Sequence, residues 1–171
     1  TNLFLHLLNV ILVFLLLKIL LQRKVLAVFA ASLFALHPMN VESVAWVSGR
    51  KELLFTLFYI GSLISYLYFL KDEKKIKYLV ISLFLFSLSL LSKIVAVTLP
   101  GIIILLDYYY GRKWNRKLII EKIPYAMLTG IFLFIGYRMT TALGSVQITE
   151  HFFSFFERLF LVSYCIVFYL Y

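Results

Sequence analysis

Seven stretches of this chain are long, apolar and almost free of charge, and most of its charged residues are gathered between them. The first, Leu3 to Leu21, can cross about 30 Å of hydrocarbon as a helix and ends at Gln22-Arg23-Lys24. Val25 to Leu36, Leu53 to Leu70, Tyr78 to Leu91, Ile94 to Leu106, Ile123 to Tyr137 and Phe156 to Tyr171 follow. With 63% hydrophobic residues, 18% aromatic residues and a mean hydropathy of +0.97, the chain lies outside the soluble globular range. Long apolar segments alternate with short charged tracts, as expected when the bilayer itself is the solvent for most of the surface. The expectation is an all-α membrane protein, a polytopic transmembrane helix bundle, with residues 1–171 a piece of one membrane domain. Runs of about 12 to 14 residues are short for full spans, so some helices should tilt into the loops or be re-entrant.

Charge orients the bundle. Arg23, Lys24, the four lysines of "KDEKKIK", the four basic residues of "GRKWNRK" and Lys122 place eleven cations on one face. Arg50, Lys51, Lys93, Arg138 and Arg158 leave five on the other. The positive-inside rule makes the first face cytoplasmic, and "ALHPMNVESVAWVSGRKELL", Ala35 to Leu54, falls on the opposite side with Lys93 and an Arg138 to Phe155 loop. The net charge of +9 therefore reads as membrane orientation, and nucleic acid is excluded as a partner because the cations sit in short loops between apolar runs. Cys165, the single cysteine, rules out an intrachain disulfide and a cysteine-based metal site. The chain starts at Thr1 and ends inside an apolar run at Tyr171, as an excerpt of a longer polypeptide would, with the last helix cut short.

Polar residues are so scarce that each one inside or beside an apolar run calls for a reason. Pro38 can open a short helix, Met39 to Val47, at the membrane surface, and His37 and Glu42 would then lie close together. Such a pair can share a divalent metal, hold a sugar hydroxyl or set each other's protonation, although two ligands do not make a metal site. The bland alternative is a solvated loop anchored at head-group level by Trp46. Arg50 and Lys51 break the charge asymmetry, and a lipid head group or lipid-linked phosphate would account for them. Lys93 stands between two apolar runs with no acidic neighbour in sequence, which makes it either a functional cation or a snorkelling side chain. His6 and Asn9, three residues apart, share one helix face and should bond to a neighbouring helix. Asp107 should pair with Arg112 or Lys113, or close a helix hairpin.

Three blocks in order carry a resemblance: "HLLNVILVFLL", "LFALHPMNVESVAWVSGRKELLFTLFYIGSLISYLYF" and "LSLLSKIVAVTLPGIIILLDYYY". From His6 to Tyr110 the chain resembles the membrane half of the transmembrane and tetratricopeptide-repeat O-mannosyltransferases. These belong to the GT-C superfamily of polytopic glycosyltransferases. The resemblance implies transfer of a sugar, typically mannose, from a polyprenyl or dolichyl phosphate to an acceptor hydroxyl of a protein or glycan. It also implies a multi-pass protein with its active-site loops on the periplasmic or lumenal side. By position His37 and Glu42 match the family's second acidic loop, and Arg50 and Lys93 its basic positions near the donor phosphate. His6, Asn9 and Glu52 would support them. The chain departs from the family pattern at Ile94, where an acid usually follows the Ser-Lys, and at Glu52, usually Asp. A further acidic loop upstream of Thr1, holding the best candidate for catalytic base, and repeats downstream are expected of the parent protein. The rival from another class is a transporter or flippase, but the polar residues cluster at helix ends and no internal repeat appears.

Overall fold

The computed structural model describes residues 1–71, 76–112, 115–142 and 155–170. Among these the chain is all helical, with no strand. In order come α1 (Asn2–Leu21), α2 (Lys24–Leu36), α3 (Met39–Ala45), α4 (Arg50–Lys71), α5 (Ile76–Ser92), α6 (Leu99–Tyr109), α7 (Arg116–Ala142) and α8 (Phe155–Leu170). Single 3-10 segments, Val47–Gly49 and Ile94–Thr98, precede α4 and α6. The described part of every apolar run falls in a helical segment, as expected of an all-α membrane chain. Among the described residues three helices are long and apolar enough to cross a bilayer, or four if α2 and α3 form one broken span bent by 61°.

The breaks have local causes. Gln22 ends α1 in the left-handed region, at φ 55°, and its N–H bonds to Lys18 O. The ring of Pro38 disfavours helical backbone at the residue before it, and His37 is extended at ψ 126°, which produces the bend between α2 and α3. The run from Ile94 is divided, because α6 starts only at Leu99 with Pro100 in its first turn, where the missing N–H costs nothing. The expected loop from Arg138 is partly a correction: α7 continues through Ala142. Its apolar run is followed by residues that do not stop a helix, and the rest of that stretch, like most of "KDEKKIK", lies outside the described residues.

Two compact units divide the chain, Thr1–Gly136 and the part from Tyr137 onward. In the first, α4 and α5 form the main helix pair, and their contact uses small residues as membrane helices do. Ser62 and Ser82 each donate a hydroxyl to the other's backbone carbonyl, at 2.8 and 2.9 Å, and Gly61 lets Leu85 approach closely. Around them Tyr66, Phe86, Leu99, Ile103 and Tyr125 are fully buried. Tyr125 of α7 donates to Ser82 Oγ at 2.8 Å, so a third helix is tied to the same polar pair. Large apolar side chains remain exposed along α1 and α7, the surface a bilayer would cover. In the second unit α8 carries exposed Phe160, Tyr164 and Phe168, and its Cys165 is free and exposed.

Candidate functional site

The polar residues between α2 and α4 are organised by backbone constraints. After Pro38, α3 runs for seven residues and stops at Trp46, whose backbone is extended at ψ 136°. The 3-10 turn Val47–Gly49 then folds tightly back on α3. A Cβ at Gly49 would lie 2.7 Å from Ser43 Cα, so only glycine fits where these two backbones meet. Asn40 Nδ2 donates to Phe34 O, a carbonyl in the last turn of α2 that also accepts from His37 N–H at 3.4 Å. Trp46 is held at both ends of its backbone. Its N–H bonds to Glu42 O at 3.0 Å, and its carbonyl accepts from Gly49 N at 3.0 Å and from Asn2 Nδ2 at 2.8 Å.

This folding opens a cleft of about 310 Å³ lined by Glu42, Ser43, Trp46, Ser48, Gly49, Lys51 and Glu52. Glu42 is exposed to it, in the first turn of α3. Glu52 is occupied: both of its oxygens accept from Lys93 Nζ, at 2.7 and 2.6 Å. Lys93 thus has an acidic neighbour in space, 41 residues upstream, which its sequence surroundings did not show. The pair also suits the helix ends it joins. Glu52 lies in the first turn of α4, where the peptide dipoles favour an anion, and Lys93 follows the last residue of α5, where they favour a cation. Its side chains keep 36% and 32% exposure, so the ion pair can still meet a ligand.

His37 and Glu42 do not share the cleft, against the expectation that they would lie together. His37 stands in extended backbone before Pro38, off the helix that carries Glu42. His37 instead lines a separate, mainly apolar groove of about 360 Å³ with Leu3, His6, Leu36 and Val41. Its Nδ1 accepts from Met39 N–H at 3.3 Å, helping to cap α3. Among the described residues no group of three His, Cys, Asp or Glu side chains gathers as a metal cluster would.

The supporting residues knit α1 to its neighbours. His6 Nε2 lies 3.2 Å from Ala35 O of α2, its ring stacked on Phe34 at 5.8 Å. Asn9 donates to Leu53 O of α4 at 3.0 Å. Arg50 reaches Thr1 Oγ1 at 3.3 Å and Asn2 Oδ1 at 3.5 Å, so it sits against the start of α1 outside the cleft lining.

Sequence reasoning missed a second polar cluster, where α4, α6 and α7 meet. Asp107 pairs with Arg112 at 3.1 Å, one of the two partners expected for it, and with Lys122 at 2.6 Å. A pairing with Lys113 falls outside the described residues. Arg112 also binds Glu121 at 2.9 Å, and the hydroxyl of buried Tyr66 donates to Asp107 Oδ1 at 2.7 Å. Burial pulls the Arg112 pKa down, but hydrogen bonds to Glu121 and Asp107 outweigh it and hold the group above its ordinary value, so it stays charged. The only sequence signal was the proximity of Asp107 to Arg112.

The profile of the dolichyl-phosphate-mannose-protein mannosyltransferase family matches residues 2–137. Human protein O-mannosyl-transferase TMTC4 is 31% identical over 103 residues, which are 57% of this chain and 14% of the relative. Human protein O-mannosyl-transferase TMTC3 is 28% identical over 129 residues, covering 68% of this chain and 14% of the relative. Its Mus musculus counterpart is 28% identical over 95 residues, 54% of this chain and 10% of the relative. The chain thus spans about a seventh of these proteins or less. No solved structure gives a significant match.

Proposed function

Because this chain belongs to the dolichyl-phosphate-mannose-protein mannosyltransferase family, we propose that it forms part of a multi-pass enzyme moving mannose from a polyprenyl or dolichyl phosphate to a hydroxyl of an acceptor, such as a protein Ser or Thr. The observation that carries this reading is the cleft in which an exposed carboxylate, Glu42, lies beside a carboxylate bound to a lysine, Glu52 with Lys93. Transfer breaks the bond between sugar C1 and the phosphate oxygen and forms one from C1 to the acceptor oxygen. The acceptor's proton needs a base, and the phosphate leaves with an added negative charge. Glu42 has the chemistry to take or steady that proton, while Lys93 has the charge to steady the departing phosphate. Glu52 fixes the ammonium beforehand, which is what electrostatic catalysis requires of its cations. His37 in this reading acts on the fold, as a cap of α3. Arg50, facing α1, is available to a phosphate only at the rim.

Lys93→Met keeps an unbranched side chain, one atom shorter, and removes its charge. It is expected to weaken use of polyprenyl-phosphate mannose by about 1.5–3 kcal/mol in kcat/KM, the usual worth of a hydrogen bond to a charged group. Unchanged donor kinetics in the purified variant would exclude Lys93 from phosphate binding.

The asymmetry of eleven basic residues against five supports an extracytoplasmic position for the cleft. With other reactive cysteines removed, Ser48→Cys and Lys77→Cys should react with impermeant thiol reagents from opposite sides of sealed membranes, Lys77→Cys from the cytoplasm. Cytoplasmic labelling of Ser48→Cys would put the cleft on the wrong face for a lumenal or periplasmic reaction.

A further inference from the structure

We propose that Trp46 is the sugar platform of the cleft, stacking on the apolar face of the donor's pyranose ring while the polar lining meets its hydroxyls. This rests on the transfer reaction proposed above and adds the residue that would recognise the sugar, as distinct from the lipid phosphate. A pyranose presents C–H groups on its faces and hydroxyls around its rim. It therefore needs one flat apolar wall and several short polar groups. The cleft has that composition: among the described residues Trp46 is the one aromatic in its lining, set among Glu42, Ser43, Ser48 and Lys51. Its volume of about 310 Å³ is at the lower end for small-molecule pockets, suited to a single sugar ring.

The alternative for an exposed tryptophan beside a membrane helix is anchoring at head-group level, and Trp46 is 61% exposed. Trp46 has both backbone polar groups engaged, three hydrogen bonds binding it to α3, to the following turn and to α1. Gly49, the one residue that fits against Ser43, allows that turn to close under it. With its backbone fixed before the ligand arrives, only the two side-chain torsions of the indole are left to order on binding, which favours recognition.

The test compares two lipids in the intact protein reconstituted in nanodiscs: polyprenyl-phosphate mannose and the same polyprenyl phosphate without sugar. Trp46→Ala should weaken binding of the mannosylated lipid about tenfold and leave the bare phosphate lipid unchanged, while Trp46→Phe, which keeps a ring, should retain most of the affinity. Equal weakening of both lipids would identify Trp46 as a membrane anchor and overturn the proposal, as would no weakening of either. A wild-type protein that binds neither lipid would overturn the transfer reaction itself, a result distinct from loss of the sugar preference alone.

Discussion

Glu42→Gln is expected to lower mannosyl transfer by about a hundredfold or more, with membrane insertion and thermal stability unchanged. The contrast between large kinetic and small structural effects follows from its surroundings. Glu42 is exposed, forms no ion pair among the described residues, and lines the cleft beside Glu52. Glutamine preserves the side chain's shape and strands no buried partner, so any loss must come from the missing charge and basicity. His37→Ala is the useful comparison, because that imidazole lies in the apolar groove and accepts a single backbone N–H. It should cost a fraction of the stability of the short helix α3 and little of the turnover. Full activity of purified Glu42→Gln with polyprenyl-phosphate mannose would remove this carboxylate from the chemistry. A loss in His37→Ala as deep as in Glu42→Gln would return the histidine to the site.

The helices were legible in the sequence because hydropathy alone decides what a segment does in lipid, and the α2–α3 break was legible because proline acts on its immediate neighbour. The polar contacts of α1 were legible for a similar reason: Asn9 and His6, three residues apart in an apolar helix, have no water and must bond to other helices. Glu52 with Lys93 was not legible. Forty-one residues and a helix hairpin separate them, and only the packing of α4 on α5 brings the start of one to the end of the other. His37 and Glu42 show the opposite failure, since closeness along the chain was taken to place both in one site, while the extended backbone at His37 turns it into the groove beside α1. The length of α7 was hidden as well: its first turns carry charges that look like loop, and it is the approach of Glu121 to Arg112 and of Lys122 to Asp107 that gives those turns their place.

That approach leads to the largest expected structural effect. Asp107→Asn should destabilise the protein by about 3–5 kcal/mol, the usual consequence of breaking a buried ion pair from one side. Asp107 is 3% exposed and Glu121 7%, so water can do little to replace a lost partner. The described cluster holds two acids and two bases in balance, with Asp107 between Arg112, Lys122 and the hydroxyl of Tyr66. Asparagine fills the same space but leaves two cations facing one carboxylate. Restoring the balance should therefore restore much of the stability: Lys122→Met added to Asp107→Asn should melt at a higher temperature than Asp107→Asn alone, although each single change is destabilising. Thermal melting of the detergent-solubilised variants, followed by helical circular dichroism, measures this coupling. An unaltered midpoint for Asp107→Asn, or a double variant that merely sums the two losses, would show that the cluster is too well solvated to hold α4, α6 and α7 together by charge.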